Sequence, residues 1–119
     1  MPNFIEVFKA LRSIMLPYAL ELDCTSDTEN HLYVNTKHIQ KNKKPLFFGA
    51  VQINKKYVSY HLMPIYANPK LLTSLSPGLK QRMQGKSCFN FTSVDPLLLK
   101  ELAALTEAGF NDYKSAGYV

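Results

Sequence analysis

Between residues 3 and 18, Phe4, Val7, Phe8, Leu11, Ile14, Met15 and Tyr18 recur three and four positions apart, the spacing of one apolar face on a helix. Pro17 limits how far that helix runs. The period then drops to two. Leu20, Leu22 and Cys24 alternate with Glu21, Asp23 and Thr25, which predicts a strand with its acids toward solvent. Asp27-Thr28-Glu29-Asn30 supplies turn chemistry, and the alternation of Leu32 and Val34 with Tyr33 and Asn35 predicts a second strand paired to the first as a hairpin.

His38 to Lys44 reads as a polar loop, after which Leu46 to Ile53 is almost continuously apolar. A strand apolar on both sides is expected in the middle of a sheet, with both faces at least partly covered. Asn54-Lys55-Lys56 is a compact turn into a fourth strand, Tyr57 to Ile65, antiparallel to the third. Its Val58, Tyr60 and Leu62 share one face, and Tyr57, Ser59, His61 and Met63 share the other. Asn68-Pro69 and Ser76-Pro77 each set a capping residue before proline, predicting short helical turns at 69–75 and 77–84. Alternation resumes from Lys86 to Phe91 as a fifth strand, and Asp95-Pro96 opens a last helix with the stripe Leu98, Leu102, Leu105, Gly109 and Tyr113. The predicted class is α+β: an antiparallel-rich five-stranded sheet with N- and C-terminal helices and a short helical pair before the last strand. No repeat, low-complexity tract or linker divides residues 1–119, which read as one domain.

Composition narrows this picture. A chain of 119 residues, 46% hydrophobic and 19% charged, can bury a core without staples and lies far from the signature of disorder. The longest apolar run, Leu46 to Val51, is about a third of the roughly 20 residues that span a bilayer, so no membrane partner is expected. Met1-Pro2-Asn3 leads into the first helix without the pattern of a secretory leader. Cys24 and Cys88 are too far apart for a C-x-x-C unit, which points to a reduced, cytoplasmic protein whose thiols behave as small buried hydrophobes.

Charge is distributed unevenly. From His31 through Asn90 there are ten basic residues and no Asp or Glu, all nine acids lying outside that block. A one-signed field of this kind steers anionic partners. Lys43 and Lys44 in the polar loop, Lys55 and Lys56 in the turn, and Arg82 and Lys86 before the fifth strand are the candidate anion ligands, with Tyr33, Tyr57 or Tyr60 available to stack on bases. Gly85-Lys86-Ser87 resembles the end of a phosphate loop, but Lys80 stands where its first glycine belongs and a strand follows it rather than a helix. Arg82, Lys86 and Ser87 remain as a set suited to a small anion.

Other chemistry is sparse. His61 and Cys88 form the one pair suited to nucleophilic catalysis, and Tyr60, His61, Cys88 and Phe89 are the candidate lining of an open pocket on the sheet. His31 and His38, about 23 Å apart on an extended strand, cannot share a metal. No cofactor is expected.

The runs Asn42 to Val51, Tyr57 to Pro64 and Gln84 to Phe91 resemble the YdhG-like family of uncharacterised small bacterial proteins, and the similarity extends over nearly the whole chain. The resemblance implies a loosely frataxin-like fold, with helices on one face of an antiparallel sheet. A frataxin-like iron chaperone would also imply carboxylate ligands, for which Glu21, Asp23, Asp27 and Glu29 are the candidates, with Glu6 on the first helix. Exposed acids on a strand face are an equally ordinary reading of the same residues. The leading expectation is a non-enzymatic binding module that engages an anionic ligand or nucleic acid through its basic region. A metal chaperone comes second, and an enzyme built on His61 and Cys88 third. The pattern leaves room for a protein partner and fixes no oligomeric state.

Overall fold

The computed structural model describes residues 4–73 and 75–119. Asn3, where the first helix is expected to begin, and Ser74, inside the expected turn at 69–75, lie outside the described residues. The chain runs α1 (Phe4–Ala19), β1 (Asp23–Asp27), β2 (His31–Ile39), β3 (Pro45–Ile53), β4 (Val58–Leu62), α2 (Met63–Ala67), a 3-10 turn (Pro69–Leu72), α3 (Pro77–Lys80), β5 (Met83–Gln84), β6 (Cys88–Phe91) and α4 (Pro96–Ser115). The strands form one antiparallel sheet in the order β1-β2-β3-β4-β6-β5.

The sheet therefore has six strands where the sequence pattern predicts five. The sixth is β5, two residues taken from the tail of the helix expected at 77–84. That helix stops after one turn, and Met83 and Gln84 pair with Phe89 and Cys88. β4 ends at Leu62, earlier than expected, because Met63-Pro64 opens α2 with proline in its first turn, where no N–H is required. β1 begins late and forms an edge, leaving Leu20 and Cys24 exposed rather than in the core. Cys88 is only half-buried, so neither thiol is the buried hydrophobe expected of it.

Both long helices cover one face. α1 contributes Val7, Phe8, Leu11, Met15 and Ala19, and α4 contributes Leu102, Leu105, Thr106, Gly109 and Tyr113. Against them lie Leu32, Val34, Phe48, Val51, Val58, Tyr60, Leu62, Phe89 and Phe91 from the sheet. Polar atoms within this core are satisfied. The Thr106 hydroxyl donates to Leu102 O at 2.8 Å, so the Tyr60 hydroxyl donates to Thr106 Oγ1 at 2.6 Å, and Tyr113 OH donates to Phe47 O at 3.0 Å. Gly49 admits α1 closely: a Cβ there would lie 2.5 Å from Met15 Cε and 2.7 Å from His61 O.

A bulge in β3 explains its unbroken apolar run. Val34 pairs with Gly49 but the next residue, Asn35, pairs with Phe47, leaving Phe48 as the extra residue. Phe48 and Gly49 are both buried under the helices, while Phe47 turns to the other face. The helices thus cover one face of β3, and on the other Phe47 and Ala50 are half-buried, so the expected partial cover of both faces does not come from helices on both sides of the strand. Its far face is lined by strand residues with Met63 at the margin, among the described residues.

Candidate nucleic-acid interface

Strict alternation in β2, β4 and β6 sends every second side chain away from the helices. Cross-strand register aligns these outward residues in rows. Tyr33, Ala50, His61, Cys88 and Gln84 form one row across β2, β3, β4, β6 and β5. His31, Gln52, Ser59 and Asn90 form the row beside it. Asn35 and Phe47 pair on the other side of the first row. Of these, His31, Tyr33, Phe47, Ala50, Gln52, Ser59, His61 and Cys88 line a shallow concavity of about 500 Å³, with Asn35, Gln84 and Asn90 outside its lining.

Aromatic rings run across this face. The His31 ring lies 5.8 Å from Tyr33, Tyr33 stacks on Phe47 at 4.8 Å, and Phe47 meets His61 edge to face at 4.9 Å. All four are only partly covered. The bulge makes this ladder, because it carries Phe47 into the space between Tyr33 and His61. Ser87 fixes its far end: its hydroxyl and His61 Nε2 share a 2.7 Å hydrogen bond, and its carbonyl accepts from Leu62 N. Burial lowers the His61 pKa, so at neutral pH it presents an uncharged ring. From β2 to β6 the chain holds no carboxylate.

The expected pocket residues divide between the two faces. His61 and Cys88 stand opposite each other on the open face. Tyr60 and Phe89 are one residue out of phase, face the helices and are fully buried, so they belong to the core. The anion candidates do not form one cluster. Exposed Lys43 and Lys44 sit in the β2–β3 turn, Lys43 in the left-handed region at φ 68°, and exposed Lys55 and Lys56 sit in the β3–β4 turn. The nine residues of β3, roughly 30 Å when extended, separate these two turns. Arg82 adjoins β5, its carbonyl accepting from Asn90 N, and Lys86 lies in the turn between β5 and β6. Basic side chains thus stand around the margin of the sheet, with the rings inside. Phe47, Gln52 and Asn90 are the face residues not singled out by sequence; period-2 alternation in the flanking strands was the available signal, obscured at Phe47 by the bulge.

The carboxylate candidates do not assemble either. Asp27 is held by Arg12, whose Nε and Nη2 donate to its two oxygens at 2.9 and 2.7 Å, and this pairing keeps Asp27 below the usual carboxylate range. Glu21 lies in the turn after α1, Asp23 begins β1 and Glu29 sits in the β1–β2 turn. Among the described residues no three His, Cys, Asp or Glu side chains come together as a metal site.

Cys88 lacks the environment of an activated nucleophile. Burial raises its pKa, whereas a reactive thiol needs a lowered one, and the His61 Nε2 is engaged by Ser87. In a Cys24→Ser background, alkylation of Cys88 by iodoacetamide should therefore have its pH midpoint above about 8.5, the value for a free thiol. A midpoint near 7 would restore the thiol–imidazole reading. No helix among the described residues is long and apolar enough to cross a membrane. Comparison with protein families, with curated proteins and with solved structures finds no match for this chain.

Proposed function

We propose that the protein binds single-stranded nucleic acid on the helix-free face of its sheet, as a non-enzymatic cytoplasmic module of the YdhG-like kind. The observation that carries this reading is the Tyr33–Phe47–His61 ladder on β2, β3 and β4, strands that hold no carboxylate. Unpaired bases offer π-faces that stack on such rings in any sequence, whereas a duplex hides them. The lysines of the two turns, with Arg82 and Lys86, lie where a strand crossing the sheet would leave its phosphates. The His61 ring is neutral near pH 7 and acts here by stacking rather than by charge.

Binding of this type releases counterions, with a slope of log K against log salt near −0.7 per phosphate contact on single strands. Four contacts predict a fall of roughly 50-fold in affinity between 50 and 200 mM salt. Fluorescence anisotropy with a labelled random-sequence 12-mer measures this. Charge reversal at Lys43 and Lys44 together should weaken binding and flatten the slope by about 1.4, leaving the other contacts in place. Absence of binding at 50 mM salt, or binding indifferent to salt, would overturn the proposal.

A further inference from the structure

We propose, resting on the reading above, that Gln52 and Asn90 hydrogen-bond the edge of a base stacked on the ladder. Gln52 pairs with Ser59, and Ser59 with Asn90, so the two carboxamides flank one hydroxyl in the row beside the rings. Ser59 is occupied locally: its hydroxyl donates to Gln52 O at 3.5 Å and accepts from Asn54 Nδ2 at 3.4 Å. Among the described residues neither the Gln52 nor the Asn90 carboxamide has a hydrogen-bond partner, and both side chains are at least partly open to solvent. They are free donors and acceptors in the row beside Tyr33 and His61.

Spacing matches a base. Gln52 is the diagonal cross-strand neighbour of Tyr33, and Asn90 that of His61, each about 7–8 Å away. A purine centred on a ring of the ladder projects its amino group roughly 3.5 Å from its centre, and a hydrogen bond of about 2.9 Å closes the remaining distance. A carboxamide offers one donor beside one acceptor. That pair is complementary to the donor-acceptor edge of an unpaired base; adenine presents it as the 6-amino donor beside a ring-nitrogen acceptor, which Asn and Gln take in a bidentate way.

The test compares an RNA 9-mer of adenosine with the same 9-mer of purine riboside, which stacks alike but lacks the 6-amino group. Anisotropy titrations use the full chain and its Gln52→Ala/Asn90→Ala variant at one salt concentration. The adenosine strand should bind on the order of tenfold more tightly to the parent protein. In the variant the two strands should bind alike, with the purine riboside strand held as tightly as by the parent, which also shows that the variant is folded. Equal binding of both strands by the parent overturns the assignment while leaving the stacking face intact. A preference that survives in the variant overturns it too. Failure of both strands to bind the parent removes the underlying reading, and the base assignment with it.

Discussion

Replacing Tyr33 and Phe47 together by alanine should lower affinity for a single-stranded 12-mer by at least about 30-fold while leaving the salt slope unchanged. Each base stacked on an aromatic ring contributes about 1–3 kcal/mol, and two such losses give a factor of 30 at the low end. The slope stays because neither substitution removes a charge. This separates the rings from the margin: reversing Lys43 and Lys44 alters the slope, whereas removing Tyr33 and Phe47 alters the intercept. Both rings are partly exposed and lie outside the helix-covered core, so the variant should remain folded. Anisotropy at four salt concentrations reads both quantities from one titration series. A loss below about threefold would mean that the ladder carries no bases, and the face would then be better read as a docking surface for protein.

The face itself was partly legible in the sequence. Alternation in β4 separated Ser59 and His61 from Val58 and Tyr60, and the same pattern in β2 separated Tyr33 from Val34, because a sheet covered on one side imposes period 2 on its chain. Residue type alone did not rank the tyrosines. Both Tyr33 and Tyr60 suit stacking by residue type, yet Tyr33 is partly exposed and Tyr60 lies under Thr106. Their phase distinguishes them, Tyr60 in step with Val58 and Leu62 and Tyr33 out of step with Leu32 and Val34. Linear charge could not show that Lys43 and Lys56 stand at opposite ends of β3, since sequence proximity across a strand means spatial separation. β5 escaped notice because two residues carry no periodicity; its pairing with β6 defines it. β1 was placed too early because Leu20, Leu22 and Cys24 alternate like a buried strand, although an edge beyond the helices leaves Leu20 and Cys24 in solvent.

Phe47 and Phe48 should respond oppositely to truncation, because they face opposite sides of the sheet. Phe48 is fully buried, with ring centroids 6.0–6.1 Å from Tyr18, Phe110 and Tyr113 on the two long helices. Phe48→Ala removes a ring that ties α1 and α4 to the sheet and leaves a cavity that neighbouring aromatics cannot collapse into, at a cost of about 3–5 kcal/mol. For a protein of this size that is a large fraction of total stability. Phe47→Ala removes a partly exposed ring with its contacts to Tyr33 and His61, which costs about 1 kcal/mol. Urea unfolding midpoints measure both, with unchanged m-values indicating that the same surface is exposed on unfolding. Binding should show the reverse order: Phe47→Ala weakens it at constant fold, and Phe48→Ala leaves it intact wherever the protein remains folded. Had the strand kept regular pairing through this stretch, Phe48 and Gly49 would point to opposite faces, and only one of them could lie beneath the helices. Equal destabilisation by the two substitutions would contradict the placement of Phe47 on the helix-free face, and with it the aromatic ladder on which the proposed binding face depends.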